Sequence, residues 1–397
     1  MYICTIWKGK GNVMLKKIIG IILLVCMLAG CGHEVTVLDS PGYAAGEDHQ
    51  QFWNRFGSTD AWCFTKAEEG YYYFDSEERL IRYYDLKAEI AVPLCDQPDC
   101  DHDSEACNAH IPFSVQLDCF QYYKGNLYTL VTNRDDSNEL CVYRISPDGT
   151  TREKMGTLFS LEGNAGYSCI MHRGYVYCAL YSGGLSQDGV HVYRMALSGG
   201  APEIIYTTEK RSGGSVKLNA FGNDLYIHHS YFTDGSGSGY TGELYRWNIH
   251  DGESELVHDD IWRDYVVDGS RLYYDNGTQI VAYDFASGEE TILAEPGMPV
   301  YLGYAEGSLY YDNWCGIWIS GGDYSSRAIT VLDPANPAEA GSVHLEGNHS
   351  EWIGADGVNL IARIVRKDAS GDYSSGVYMY TFDEMLTDHG EWKEAVR

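Results

Sequence analysis

One unit of sequence recurs along most of this 397-residue chain and limits the folds available to it. The unit is a Gly-containing turn, a short Leu/Tyr run, a variable loop, a second run containing Tyr, and another Gly turn. It is clearest at Lys124 to Leu130, followed by Cys141 to Ile145. Aromatic and β-branched residues favour strands and Gly supplies positive φ at corners, so the unit predicts consecutive strands joined by turns.

Seven copies of the Gly-x-Leu-Tyr part of this unit align along the chain. They are Gly70 to Tyr73, Gly125 to Tyr128, Gly174 to Tyr177, Gly222 to Tyr226, Gly269 to Tyr273, Gly307 to Tyr310 and the weaker Gly357 to Leu360. The copies are 37 to 55 residues apart, which matches one four-stranded propeller blade per copy. Because radial stacking buries both faces of each small sheet, we predict an all-β, seven-bladed β-propeller over residues 61–397, with six or eight blades as alternatives.

The N-terminus has the residue order that is typical of an export signal. Met14 is the more natural start, and it is followed by two lysines, an apolar run from Ile18 to Leu28, and small residues before Cys31. This order is typical of a secretory signal, and the run is short for a membrane span, which needs about 20 residues. We predict a signal peptide over residues 1–30 and a polar tether over residues 31–60, with an uncleaved anchor helix as the alternative.

The segment Leu28 to Cys31 closely resembles the bacterial lipobox, and the repeats resemble those of bacterial lipoproteins with low-density-lipoprotein-receptor-type β-propellers. That group has a largely unassigned function. The resemblance implies that Cys31 is lipidated and becomes the first residue of the mature protein. Two acyl chains give stable anchoring, so we expect a lipoprotein bound to the cell membrane and facing outside the cytoplasm.

The charge balance bears on the partners of the protein. With 28 basic and 57 acidic residues, the formal net charge is −29. Such a surface repels phosphate backbones, so we do not expect a nucleic-acid partner.

A group of metal-ligating side chains lies between the first two repeats. It contains Cys95, Cys100, His102 and Cys107 in the spacing C-x4-C-x-H-x4-C, which supplies four ligands for tetrahedral zinc but does not match a zinc ribbon. Because an exported chain leaves the reducing cytosol, we prefer a disulfide staple here, with a structural zinc ion and a set of free thiols as alternatives. A calcium loop is a weaker alternative, because two of its required positions hold other residues.

Six further cysteines lie in or beside strand-like runs, and we expect them to be buried thiols that act as small apolar side chains. They are Cys63, Cys119, Cys141, Cys169, Cys178 and Cys315. Pairing between neighbouring blades is the alternative.

Long loops join the second and third strands of several repeats. Because strands alternate in direction, these loops should emerge on the face that also carries the links between blades. We interpret this face as a ligand surface, with Tyr231, Tyr240, Tyr324 and Tyr373 as candidate contacts, and the alternative is that the loops are tolerated insertions.

The sequence contains no catalytic motif that selects a reaction. His228 and His229 are strand neighbours that point to opposite faces, so they do not readily share one site. The sequence favours a non-catalytic binding or scaffold module of the cell envelope, with a protein or a glycan as its ligand. The alternative is an envelope polysaccharide lyase or hydrolase with its site at the axial mouth of the propeller.

Overall fold

Each sequence repeat folds into one antiparallel sheet of four strands that are hydrogen-bonded in chain order, and seven such sheets occur in the described part of the chain. The structure is a computed structural model. The residues that it describes are 64–112, 115–133, 138–161, 165–182, 189–233, 240–305, 307–313, 327–345, 349–355, 358–367, 373–387 and 390–396.

The first four sheets are blades one to four. Blade one consists of β1 (Phe64–Lys66), β2 (Gly70–Asp75), β3 (Leu80–Asp85) and β4 (Ile90–Pro93). Blade two consists of β5 (Val115–Tyr123), β6 (Asn126–Asn133), β7 (Glu139–Ile145) and β8 (Arg152–Ser160). Blade three consists of β9 (Ala165–His172), β10 (Tyr175–Ser182), β11 (His191–Ala196) and β12 (Glu203–Thr207). Blade four consists of β13 (Ser215–Phe221), β14 (Asp224–Phe232), β15 (Tyr240–Asn248) and β16 (Ser254–His258).

The remaining three sheets are blades five to seven. Blade five consists of β17 (Tyr265–Val267), β18 (Arg271–Asp275), β19 (Ile280–Asp284) and β20 (Glu290–Ala294). Blade six consists of β21 (Tyr301–Ala305), β22 (Ser308–Asp312), β23 (Ala328–Asp333) and β24 (Asn336–His344). Blade seven consists of β25 (His349–Ala355), β26 (Asn359–Lys367), β27 (Tyr373–Thr381) and β28 (Lys393–Val396), with the helix α1 (Phe382–Thr387) before its last strand.

The sheets close into a ring. The first strand of each blade contacts the first strand of the next, and β25 of blade seven contacts β1 of blade one. The outer strands β28 and β4 also meet at this junction. The prediction of a seven-bladed β-propeller is therefore confirmed. The repeat Gly residues of blades two to six lie at the turns between first and second strands, and Gly70 begins the second strand of blade one.

Burial is highest in the second strands and lowest in the fourth strands of the blades, which explains the sequence pattern of the repeats. Second strands such as β14 are buried over nearly their whole length, because neighbouring blades cover both of their faces. Fourth strands such as β12 and β16 are mostly exposed. The second strands are therefore the Leu/Tyr runs that were recognisable in the sequence.

A cross-strand triad accounts for the recurring Tyr and Tyr-Arg elements. In blade three, Tyr177 of the second strand lies opposite Arg194, and Arg194 donates to Glu203 of the fourth strand at 2.6 Å. The same Tyr, Arg and Glu order occurs in the two flanking blades, at Tyr128, Arg144, Glu153 and at Tyr226, Arg246, Glu255. Burial raises the pKa of each triad tyrosine, so the phenol stays neutral beside its arginine.

Polar side chains join the innermost strands of successive blades. The side chain of Gln121 donates to the carbonyl of Met171 at 3.0 Å and accepts from its amide at 2.9 Å. Further bonds of this kind run from Tyr122 N to Thr65 Oγ1, from Leu218 N to Ser168 Oγ, from Asn219 Nδ2 to Tyr265 O and from Leu302 N to Asp264 Oδ2. They satisfy backbone groups on strand edges that have no neighbouring strand within their own sheet.

An arginine connects the last blade to the first. Arg363 on β26 is buried and lies 3.3 Å from Asp75 and 3.3 Å from the hydroxyl of Ser76. Asn359 on the same strand donates to the hydroxyl of Tyr71 at 3.4 Å. Ring closure therefore combines polar contacts with the apolar contacts of Phe64, Tyr71, Tyr73 and Ile361.

Two of the predicted segments, the signal peptide and the tether, lie outside the described residues, as does Cys31. Among the residues that are described, no helix has the length and apolar character needed to cross a membrane.

Candidate metal centre and aromatic surface

The predicted ligands lie in the link between blades one and two, which runs from Leu94 to the start of β5. The link doubles back along blade one, where Leu94 donates to Ile81 at 2.9 Å and Ile81 donates to Ala109 at 2.9 Å. Arg79 holds its far end through bonds to the carbonyls of Ile111 and Pro112, both at 3.0 Å. The link is therefore fixed to strand β3 at both of its ends.

The turn between β7 and β8 of blade two holds the other side of the link. Asn108 donates to the carbonyl of Gly149 at 2.8 Å, and Arg152 donates to the carbonyl of His110 at 2.7 Å. Gly149 has φ +74, and a Cβ there would lie 2.5 Å from the carbonyl oxygen of Leu94. The link therefore fills the wedge between blades one and two.

The four predicted ligands converge within this link. The Sγ atoms of Cys95, Cys100 and Cys107 and a ring nitrogen of His102 all lie within 4.8 Å of one another. His102 Nδ1 is 3.3 Å from Cys107 Sγ. In a tetrahedral zinc site with these ligands, neighbouring ligand atoms are about 3.5 to 3.8 Å apart. Small side-chain movements are enough to reach that geometry.

Local turns explain how the sequence brings these side chains together. Cys100 donates its amide to Gln97 at 3.3 Å, so the chain reverses around Pro98. His102 adopts a left-handed backbone conformation with φ 57, and a second turn closes where Cys107 donates to Ser104 at 3.0 Å.

The three cysteines are free thiols in the structure and differ in exposure. Cys107 is fully buried within the apolar contacts between the two blades, whereas Cys95 and Cys100 are half-buried. Burial raises the pKa of the Cys107 thiol to about 11, so a cation must displace its proton to bind at neutral pH. The chemistry of the donor set, three thiols and one imidazole, fits zinc.

A second feature lies at the loop ends of blade four, on the predicted ligand face. Tyr240 packs edge-to-face against Phe232 at 5.5 Å between ring centroids, and against Trp262 at 5.7 Å. All three rings are half-buried, and Tyr240 is fixed by a bond from its hydroxyl to Ser230 at 2.7 Å. We call Phe232, Tyr240 and Trp262 the aromatic row.

The four tyrosines predicted on this face have different outcomes. Tyr240 belongs to the aromatic row. Tyr231 is buried, donates to Glu243 at 2.8 Å and lies under the guanidinium of Arg211. Because it directly precedes Phe232 on β14, it points to the opposite face of blade four and does not belong to the row. Tyr373 begins β27, and Tyr324 lies outside the described residues. Trp262 was missed because it stands in a short link between blades, where no repeat marks it.

A buried carboxylate supports the backbone beneath Trp262. Asp275 accepts the amide of Trp262 through its carbonyl at 2.9 Å, and its Oδ1 accepts the amide of Gly277 at 2.8 Å. Its Oδ2 is buried without a hydrogen-bond partner. Burial raises the pKa of Asp275 to about 7, so the folded protein holds this proton at a pH where the unfolded chain has lost it.

We expect replacement of Asp275 by Asn to change the pH dependence of stability. A raised folded-state pKa means that stability falls as pH rises from about 4 to about 7, and Asn removes this effect. Between pH 5 and pH 8, the wild-type protein should lose about 2 to 3 kcal/mol relative to Asp275→Asn in urea unfolding. The exposed Asp259→Asn serves as control, and parallel pH profiles for wild type and Asp275→Asn would contradict the expectation.

The adjacent histidines point to opposite faces of β14, as predicted. His228 packs against Tyr265 of blade five at 5.3 Å between ring centroids, whereas His229 packs against Tyr231 at 5.2 Å on the other face. Burial lowers the pKa of His229 to about 4, which keeps this ring neutral.

The interpretation of Cys169 and Cys178 as buried thiols was wrong. They lie directly opposite each other on β9 and β10 and form a disulfide within blade three. Their Cα atoms are 4.2 Å apart, a separation that the register of two paired strands sets and that single-strand patterns do not reveal. Cys119 and Cys141 are buried thiols as predicted, whereas Cys63 and Cys315 lie outside the described residues.

Comparison with known proteins extends the description of the fold. No protein-family model and no curated protein matches the chain. Among solved structures, a chain of the mitotic checkpoint complex is similar, with a TM-score of 0.51 and 12% identity over 87% of this chain and 98% of that one. This likeness shows the fold alone.

Two further solved structures are similar at lower scores. A puromycin-hydrolysing peptidase of Mycobacterium tuberculosis has a TM-score of 0.49 and 13% identity over 85% of this chain and 53% of that one. A chain of a nidogen/laminin complex has a TM-score of 0.39 and 12% identity over 71% of this chain and 90% of that one. The present chain spans about half the length of the peptidase.

Proposed function

We propose that this protein is a lipid-anchored binding propeller of the cell envelope, and that it takes its ligand on the aromatic row. The observation that carries the proposal is the position of Phe232, Tyr240 and Trp262. They come from two strand ends and an interblade link, and they meet half-exposed on the face where long loops and links emerge.

The chemistry of the row favours a neutral glycan over other ligands. Aromatic rings offer apolar faces on which the C–H groups of a sugar ring stack, and their contact area costs little side-chain entropy. The acidic surface of the protein, with a net charge of −29, opposes polyanionic glycans. A protein ligand would use the same rings as anchor residues and is the competing outcome of the test.

Replacement of Tyr240 or of Trp262 by Ala should weaken ligand binding about tenfold each, because each change removes one stacking surface worth about 1.4 kcal/mol. Binding of the purified full-length protein to an array of neutral oligosaccharides, followed by calorimetry on the best ligand, measures this. Tyr231→Phe is the matched control, since it alters a tyrosine on the other face of β14 and keeps its ring.

Three outcomes of this experiment decide between the functions. Loss of oligosaccharide binding in both Ala variants supports the glycan-binding function. Capture of an envelope protein that depends on the same two residues would replace the glycan by a protein ligand. Shortening of an oligosaccharide during incubation, with new reducing ends, would favour the polysaccharide enzyme.

Anchoring through Cys31 is the second element of the proposal, and it rests on the resemblance of Leu28 to Cys31 to a lipobox. We expect the mature N-terminal peptide to begin at Cys31 and to carry the mass of a lipid modification. Mass spectrometry of that peptide tests this expectation. A Cys31→Ser variant should leave the membrane fraction, because it has lost both acyl chains, and retention of that variant in the membrane would contradict the anchor.

We further propose that Cys95, Cys100, His102 and Cys107 bind one structural zinc ion. The convergence of four suitable ligand atoms within 4.8 Å supports this assignment over a disulfide, which would use only two of them. A zinc ion would join the Cys95 and Cys100 side of this interblade link to the His102 and Cys107 side. The ends of the link are already held by hydrogen bonds to blades one and two. The role of the zinc ion is to stiffen the junction between blades one and two.

A further inference from the structure

We propose that the zinc site is also a redox switch, in which a peroxide joins Cys95 and Cys100 in a disulfide and expels the metal. This inference rests on the zinc site of the preceding section. The sequence leaves a disulfide and a metal site as alternatives for these cysteines. Under this proposal the metal site is the reduced state and the disulfide is the oxidised state of the same group of residues.

The differing exposure of the three thiols identifies the pair that reacts. Cys95 and Cys100 are half-buried and accessible from solvent, whereas Cys107 is fully buried between the blades. A small oxidant therefore reaches the first two sulfur atoms and not the third.

The geometry of the turn favours the same pair. Cys95 and Cys100 flank the reversal at Gln97, and their Sγ atoms lie within 4.8 Å of each other. A disulfide needs the two sulfurs at about 2.05 Å. The exposed turn between them can supply that movement without displacing a blade, whereas Cys107 is fixed among buried side chains.

The chemical step balances with hydrogen peroxide as the oxidant. One thiolate attacks a peroxide oxygen, the O–O bond breaks, and a sulfenic acid and a hydroxide form. The second thiolate attacks the sulfenic sulfur, the S–S bond forms, and a second hydroxide leaves. The two sulfurs lose two electrons in total, and the two peroxide oxygens gain them.

Zinc release follows because only two of four ligands remain. Cys107 and His102 alone do not hold a tetrahedral zinc ion. The link then loses its metal cross-link and is held by the contacts of Asn108, Arg152 and Arg79 with their carbonyl partners. Oxidation outside the cytoplasm would thus loosen the junction between blades one and two.

The test uses purified full-length protein in detergent, with its zinc content measured first. Peroxide is added in steps, released zinc is read with a chromogenic chelator, and disulfides are mapped by differential alkylation and peptide mass spectrometry. We expect one zinc ion released per chain together with a Cys95–Cys100 disulfide, and reversal of both by a thiol reductant and added zinc. The buried thiols Cys119 and Cys141 are internal controls that should stay reduced.

Each remaining outcome overturns one identifiable step. Zinc that stays bound at full peroxide excess, or release with a disulfide that includes Cys107, overturns the redox proposal and leaves the zinc site standing. Protein that contains no zinc overturns the zinc site. The peptide map of that same protein then still shows whether Cys95 and Cys100 join, and a Cys100→Ser variant, which cannot form this disulfide, confirms the assignment of the peptides.

Discussion

Replacement of Cys107 by Ser is expected to abolish zinc binding and to lower the free energy of unfolding by about 4 kcal/mol at a zinc concentration near a thousand times Kd. The physical reason is linkage, because a ligand that binds only the folded chain adds its binding free energy to stability. Cys107 is also the ligand buried between the blades, so its loss affects the junction itself. Urea unfolding of both proteins with zinc and with a chelator measures the effect.

The chelator and a second cysteine variant supply the controls for this prediction. Chelation should lower the stability of the wild-type protein toward that of Cys107→Ser and should leave the variant unchanged. Cys141→Ser removes another buried free thiol, one that lies near Thr157 and away from the link. Its unfolding should remain sensitive to the chelator, and a chelator-insensitive wild type would contradict a stabilising zinc ion.

Replacement of Arg327 by Met is expected to destabilise blade six by about 3 to 5 kcal/mol. Arg327 and Asp312 form a buried ion pair, with 8% and 0% of their side chains exposed, and Arg327 Nε lies 3.0 Å from Asp312 Oδ2. Removal of the arginine leaves a buried carboxylate without its cation, which is far more costly than loss of an exposed pair. Denaturant unfolding of the purified variant measures the loss.

A double variant separates this explanation from a loss of packing. Asp312→Leu combined with Arg327→Met buries no charge, so it should recover most of the stability that Arg327→Met loses. Lys393→Met removes the lysine of an exposed pair with Glu384 and should leave stability nearly unchanged, because solvent screens such a pair. A double variant as unstable as the single one would show that the ion pair is not the cause.

The number of blades could be predicted because it depends on local chemistry. In blades two to six, the turn between first and second strands contains a Gly at positive φ, a conformation that Gly adopts at low cost, as at Gly125 and Gly174. The Leu/Tyr run that follows is buried on both faces. The turn and the buried run recur along the chain about once per blade, so the sequence repeat can be counted as blades.

The contacts between blades could not be predicted, because they join residues about one repeat apart. Gln121 bonds to Met171, which is 50 positions away, and any polar residue on an inner strand looks the same in the sequence. The Tyr, Arg and Glu triads likewise depend on strand register. Arg194 meets Glu203 because the bulge between Val192 and Tyr193 shifts the pairing by one residue.

The two candidate sites illustrate the same difference. The four ligands of the metal site lie within 13 residues, so their spacing alone was informative. The aromatic row combines Phe232 and Tyr240 with Trp262 from the following link. Only Tyr240 could be predicted, since its partners come together through the order of the strands and the path of the link.

The most direct test is a zinc analysis and thiol count on the purified, unoxidised full-length protein, beside a Cys100→Ser, His102→Ala double variant. We predict one zinc ion per chain in the wild-type protein and none in the double variant, with Cys95 and Cys100 more reactive toward a thiol reagent after chelation than before it and the buried Cys107 the least reactive of the three. A wild-type protein without zinc, whose cysteines in this link are already joined in a disulfide, would contradict the metal centre and leave a covalent staple in its place.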